Sequence, residues 1–180
     1  MQDKKNIKIS VRELCEASLK SGDLSFAIAS QSKLLEGSAA HRALQREGGP
    51  DYSAEVSVNF IYDAGFALLE IGGRMDGLIK AGTGLITIDE IKTMSSGIGD
   101  IGEDDNPEFW GQAKCYAYIY SRDNAVAEIA VRLTYYCHLT GNIKRFVKKF
   151  SFGELEDFFN GLVAFYLKRV KTLSDWREVR

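Results

Sequence analysis

Gly72-Gly-Arg-Met-Asp76, carried across a glycine-containing turn (Lys80-Ala-Gly-Thr-Gly84) into Leu85-Ile-Thr-Ile-Asp-Glu-Ile-Lys-Thr93, decides how this chain folds. Phe66 to Ile79 reads as a long strand, with Gly72-Gly73 as a plausible bulge. Leu85 to Thr93 reads as the next strand. Its Leu-Ile-Thr-Ile start is apolar on both faces, as a central strand requires. A turn symmetric about Gly82 sets Asp76 opposite Ile88. Alternation along each strand then gathers Arg74, Asp76, Glu90 and Lys92 on one face. Asp76 and Glu90 become diagonal neighbours, with β-carbons roughly 7–8 Å apart. A one-residue slip would bring Asp89 to that face instead. The even register is preferred because it sets a lysine beside the carboxylate pair.

Two carboxylates and a lysine at a strand end suit phosphodiester hydrolysis. Carboxylates can hold Mg²⁺ or Mn²⁺, which lowers the pKa of a bound water and neutralises charge developing on phosphate. A lysine can orient that water or stabilise the transition state. A lone Glu-x-Lys triplet is more often a solvated ion pair, so the company it keeps matters.

Working outward, Val11, Leu14, Cys15 and Leu19 fit an amphipathic helix over Val11 to Lys20. A second helix is expected from about Phe26 to Glu47, with Leu34, Gly37, His41 and Leu44 on one face. Gly48-Gly49-Pro50 ends it. Glu55 to Tyr62 reads as a strand. Met94 to Pro107 reads as a loop carrying Glu103-Asp104-Asp105, plausible as a gate or substrate-ordering segment. Asn106 can cap a helix that opens on Pro107 and runs to about Arg122. Ala125–Leu139 and Ile143–Phe150 form a hairpin over Thr140-Gly141-Asn142. Ser151-x-x-Glu154 is a capping box for a last helix bearing Leu155, Phe158, Phe159, Leu162, Val163, Tyr166, Leu167 and Val170. The order α-α-β-β-β-α-β-β-α gives an α/β fold, a mixed sheet flanked by helices. One domain over 1–180 is expected, with a helical part to about 50 and a sheet-bearing part over about 51–175.

Composition narrows the partners. The hydrophobic fraction of 45% supports a sizeable core, and a net charge of −2 gives no global field to draw nucleic acid. Any DNA-handling surface must therefore segregate its charge. Three cysteines without CxxC spacing suggest reduced thiols in a cytoplasmic protein. The polar N-terminus and the lack of a long apolar run argue against a signal peptide or membrane partner. Gly97-x-Gly99 lacks the Gly-Lys-Ser/Thr of a P-loop. Lys144-Arg-Phe-Val-Lys-Lys149 could track phosphates, although a lysine-guarded edge strand is favoured. His138 reads as structural or surface, and Tyr118 and Tyr120 as core or rim.

Gly73-Arg-Met-Asp76 and Asp89-Glu-Ile-Lys-Thr93, with Gly37-Ser-Ala-Ala-His41 before them and Gln112-Ala-Lys-Cys-Tyr116 after, resemble the PD-(D/E)XK nuclease superfamily. The order of the four motifs over Gly37 to Tyr116 is most similar to its RecB-like branch. Met75 stands where the superfamily's proline often precedes the first aspartate. The resemblance implies a restriction-endonuclease-like fold and a Mg²⁺/Mn²⁺-dependent deoxyribonuclease, an exonuclease acting in repair or recombination. It implies His41, Asp76, Glu90 and the Ile91 carbonyl as metal ligands, and Asp76, Glu90 and Lys92 as the catalytic set. Gln112, Tyr116 and Arg74 would contact DNA, or Gln112 and Tyr116 would position Lys92. The iron–sulfur cluster of some relatives needs four cysteines and is not expected here. A DNA helicase, in the same chain or complex, is an expected partner. The rival readings are a non-catalytic interaction module that keeps the fold, and a hydrolase of smaller phosphoesters.

Overall fold

The computed structural model describes residues 4–19, 31–82 and 84–178, and within them the side chains of all but 31–38 and 173–178. Six strands form one mixed sheet: β1 (Lys5–Ser10), β2 (Tyr52–Asp63), β3 (Ala67–Lys80), β4 (Ile86–Met94), β5 (Glu128–Cys137) and β6 (Ile143–Ser151). Among the described residues four helices flank it: α1 (Val11–Leu19), α2 (Gln31–Glu47), α3 (Pro107–Asn124) and α4 (Phe152–Glu178). The α/β class, the mixed sheet and the central place of β4 are as the sequence indicates. The Phe26–Ser30 start expected for the second helix lies outside the described residues, as do the surroundings of the Leu34 and Gly37 side chains.

The organisation turns on β3. One edge of β3 pairs along its length with antiparallel β2, from Asp63↔Leu68 to Tyr52↔Ile79. The other edge is shared. Parallel β1 holds it from Ala67 to Gly72, and antiparallel β4 takes it from Gly77 to Lys80. Between them Gly73, Arg74, Met75 and Asp76 have no strand partner on that side. The first strand is absent from the sequence reading because its six residues, KNIKIS, owe their conformation to a pairing some 62 positions along (Lys5↔Ala67).

Two expectations about β3 are corrected. Ile88 faces Leu78 and not Asp76. The slip is two residues, so Asp76, Glu90 and Lys92 keep a common face. Gly72 and Gly73 are paired in continuous register with Asn59 and Val58, so they form no bulge. The irregularity lies four residues on, where pairing lapses between Ala54↔Gly77 and Val56↔Met75. There Glu55 takes φ 57°, a left-handed conformation that costs a non-glycine residue free energy. The two glycines flanking this point abut different layers. A β-carbon on Gly73 would stand 2.8 Å from the Tyr116 hydroxyl on α3, whereas one on Gly77 would meet Tyr52. The side-chain alternation of β3 is therefore reset at Asp76.

The main core lies between the sheet and α1, α3 and α4. Leu14, Leu69, Ile71, Ile88, Ile119, Leu133, Leu155 and Phe159 are fully buried there. Tyr118 belongs to it, stacked on Phe159 with ring centroids 4.5 Å apart. Tyr120 is buried as well. Two capping boxes aim the helices that follow strands. Ser151 and Glu154 exchange bonds at the start of α4, and Ser10 and Glu13 do the same at α1. On the opposite face α2 sets Leu44 beside Tyr52, Asp89 and Arg132. Cys15, Cys115 and Cys137 are free, buried thiols. No helix among the described residues is long and apolar enough to cross a membrane.

Strand β6 lies at a sheet edge, as its lysines suggest, but two of them have employment. Lys144 donates to the carbonyls of Gly99 (3.0 Å) and Ile101 (2.6 Å), and Lys148 donates to Asp104 (2.6 Å). They fasten the β4–α3 loop against the sheet.

At its other end α3 runs to Asn124 and closes on Ala125, which is exposed and left-handed (φ 53°, ψ 44°) while its N–H reaches the Ser121 carbonyl. Glycine adopts this conformation without the β-carbon clash. Ala125→Gly should raise the unfolding free energy by about 1 kcal/mol in denaturant titrations. A decrease would contradict the cap assignment.

Candidate active site

Where β1 and β4 part from β3, a cleft of about 1050 Å³ opens toward α3. Its lining includes all eight residues singled out in the sequence: His41, Arg74, Asp76, Glu90, Ile91, Lys92, Gln112 and Tyr116. Four strands (β1, β3, β4 and β5), three helices (α1, α2 and α3) and the loop preceding α3 contribute to it.

Asp76 sits where the strands diverge. Its Oδ2 accepts the Ile91 N–H at 2.7 Å, so the carboxylate takes the place of a backbone acceptor past the last β3–β4 pair. Its Oδ1 lies 3.6 Å from His41 Nδ1. Its backbone carbonyl, facing the lapse in β2 pairing, accepts Gln45 Nε2 at 2.8 Å. His41 and Gln45 are one turn apart on α2, so one helix face reaches Asp76 twice. Gln45 also donates to Glu55, whose carboxylate pairs with Arg74 at the rim.

Glu90 is buried, and burial pushes its carboxyl up to about 6 against the opposing charge of Lys92; the negative charge of Asp76 adds to the rise. Lys92 donates to Glu90 Oε1 (2.7 Å) and to Gln112 Oε1 (3.1 Å), and its ammonium lies 4.6 Å from the centre of the Phe109 ring. Gln112 thus reaches the lysine directly. Tyr116 packs on Gly73, and burial together with the charges of Glu90 and Asp76 raises its hydroxyl pKa.

Carboxylate oxygens, a backbone carbonyl and an imidazole are suitable donors for Mg²⁺ or Mn²⁺. Among the described residues no three acidic, histidine or cysteine side chains already form a closed cage. Lys92 occupies one Glu90 oxygen and Ile91 one Asp76 oxygen, leaving Asp76 Oδ1 and Glu90 Oε2 as the carboxylate positions without these partners. A buried glutamate beside a partly buried aspartate, with one ammonium bound to the glutamate alone, fits the addition of a cation.

Asp89 lies on the other face and is committed there. Arg132 grips it bidentately (2.9 and 2.7 Å), Thr134 donates at 2.7 Å and Tyr52 at 3.1 Å. The slipped register, with Asp89 in the carboxylate pair, is thereby excluded. Arg12 and Ser10, at the β1–α1 junction, line the cleft and were missed by the sequence reading. The Ser10-x-x-Glu13 box, of the same type as Ser151-x-x-Glu154, was the available signal. Asn106, expected to cap α3, makes no side-chain cap bond and instead donates to the Tyr135 hydroxyl at 3.1 Å inside the cleft. His138 is not among the residues lining the cleft; its backbone N–H donates to the Met94 carbonyl.

No protein-family model matches the chain, and no curated protein matches it in sequence. Solved structures do resemble it. The alkaline exonuclease LHK-Exo from Laribacter hongkongensis superposes with a TM-score of 0.57 at 12% identity, over 95% of this chain and 92% of the other. A phage-related exonuclease from Haemophilus somnus 129PT gives 0.53 at 12%, covering 93% and 82%. The protein SSO0001 gives 0.58 at 18%, covering 89% and 77%. The chain has the restriction-endonuclease-like fold of the two exonucleases.

Removing Asp89 leaves the half-buried Arg132 guanidinium without its partner. Asp89→Ala should cost about 3 kcal/mol in chemical denaturation. A loss below about 1 kcal/mol would contradict the structural role assigned to Asp89.

Proposed function

We propose that this chain is a single-domain, divalent-metal-dependent deoxyribonuclease of the RecB-like branch, hydrolysing DNA phosphodiester bonds as an exonuclease. The observation that carries the reading is the convergence of Asp76, Glu90 and Lys92 in one cleft at the gap in the β3 edge. The fold shared with two proteins described as exonucleases supports the exonuclease mode. Association with a helicase, a role in repair or recombination and a cytoplasmic setting rest on the motif order and composition alone.

His41, Asp76, Glu90 and the Ile91 carbonyl would hold Mg²⁺ or Mn²⁺. When bound, the cation supplies Lewis acidity toward phosphate and acidifies a water. Lys92, held by Glu90 and Gln112, presents a fixed ammonium to the phosphate oxygens or the attacking water. The Ile91 N–H fixes one Asp76 oxygen and so orients the other. Arg74 at the rim, after exchanging Glu55 for a phosphate, and Arg12, which lines the same cleft, would draw the DNA backbone inward. Tyr116 closes the floor beside the two carboxylates.

Purified protein with Mn²⁺ should cleave end-labelled DNA, and Lys92→Ala should slow cleavage by roughly 100-fold or more. Lys92→Ala should retain the Mn²⁺-induced rise in melting temperature, while Glu90→Gln should lose it. Undiminished cleavage by Lys92→Ala, or no cleavage of any DNA by the unmodified chain, would overturn the reading.

A further inference from the structure

Beyond Lys92 the cleft changes character. Asp76, Glu90, His41 and Arg12 occupy one half. The other half is walled by Met94, Ile101 and Phe109, all only partly buried, over a floor made by Tyr135. Apolar side chains left partly open beside a strongly charged centre need a reason, because filling the space with one larger residue would bury them. The loop that supplies Ile101 is held in place: Lys144 grips the Gly99 and Ile101 carbonyls, and Trp110 Nε1 donates to the Glu103 carbonyl at 2.6 Å. This wall is therefore built.

Asn106 supplies an independent sign. It occupies the cap position of α3, where an asparagine normally accepts a helix N–H. Its amide is turned into the cleft, where the nitrogen donates to the Tyr135 hydroxyl. Among the described residues its amide oxygen accepts no hydrogen bond. An apolar slot with one side-chain amide at its edge is the arrangement that receives a flat heterocycle with polar edges.

We infer that the Met94–Ile101–Phe109 half of the cleft is a subsite for one unstacked nucleobase of the strand being cut, with Asn106 reading its edge. The inference rests on the nuclease reading above and adds the position of a base. Lys92 joins the two halves, since its ammonium reaches Glu90 on one side and lies over the Phe109 ring on the other. A nucleotide whose phosphate meets Lys92 therefore brings its own base or that of its neighbour against Phe109. The base must leave its stack to enter, so paired DNA would have to fray at the site. Contact with an aromatic ring tolerates any base, and the Asn106 amide can grade them.

The test is an abasic scan. Single-stranded oligonucleotides carrying one base-free sugar, stepped through successive positions, are cleaved with Mn²⁺, and kcat/KM is compared with that of the intact strand. One position beside the scissile bond should slow cleavage roughly tenfold or more, the scale of one lost base–aromatic contact. Phe109→Leu and Asn106→Ala should flatten that profile, and Phe109→Tyr should keep it. Equal cleavage of intact and abasic strands at every position by the unmodified protein would overturn the subsite and leave the nuclease reading standing. A profile unchanged in both Phe109→Leu and Asn106→Ala would overturn these residues as its makers. Absence of cleavage of every strand would overturn the nuclease reading and the subsite together.

Discussion

The hydrogen bond from the Ile91 N–H to the Asp76 carboxylate carries the geometry of the site. A strand edge cannot serve two partners at one point, so β1 must end before β4 begins. The four residues left between them need other acceptors and donors, since unsatisfied backbone groups are costly when buried. Asp76 answers on its side chain by accepting from β4, and on the β2 edge, where pairing also lapses, its carbonyl accepts from Gln45. Both bonds fix the aspartate in the mouth of the cleft. Glu55 enters a left-handed conformation directly across the same gap. Strain, missing pairs and charged groups coincide at this point, as is common where a backbone is shaped by function.

Electrostatics divides β4 between its two faces. Consecutive residues Asp89 and Glu90 meet opposite fates. Asp89 is neutralised by Arg132 and saturated by Thr134 and Tyr52, which ties β4 to β5 and β2 from behind. Glu90 holds one lysine beside the negative charge of Asp76 and is pushed toward its protonated form by burial. The rigid ion pair behind the strand lets the under-compensated group in front keep its place. An uncompensated buried carboxylate lowers stability, and a cation that binds it returns that stability.

Much of this site was legible in the sequence because strand alternation has period two. Asp76, Glu90 and Lys92 line one cleft even though the hairpin register differs from the expected one, since a two-residue slip preserves the faces. Arg74 lies before the reset at Asp76 and reaches the cleft at its rim. The pairing of Asp89 with Arg132, 43 residues on, carries no local signal, so its choice of face stayed open until the fold was known. The same holds for β1, and hence for Arg12 and Ser10, which reach the cleft only because β1 ends beside Gly72. Local preference misled at Asn106, where a good capping residue gives its amide to Tyr135. It was incomplete at Lys144 and Lys148, which sit on an edge strand as expected and also fasten the loop above the cleft.

Anomalous diffraction from crystals soaked in Mn²⁺ tests the central claim most directly. The account predicts a Mn²⁺ peak in the cleft, coordinated by Asp76, Glu90 and the Ile91 carbonyl, with His41 completing the set and Asp89 still bound to Arg132. A peak at Asp89, or a well-ordered Mn²⁺ only outside the cleft, would contradict it.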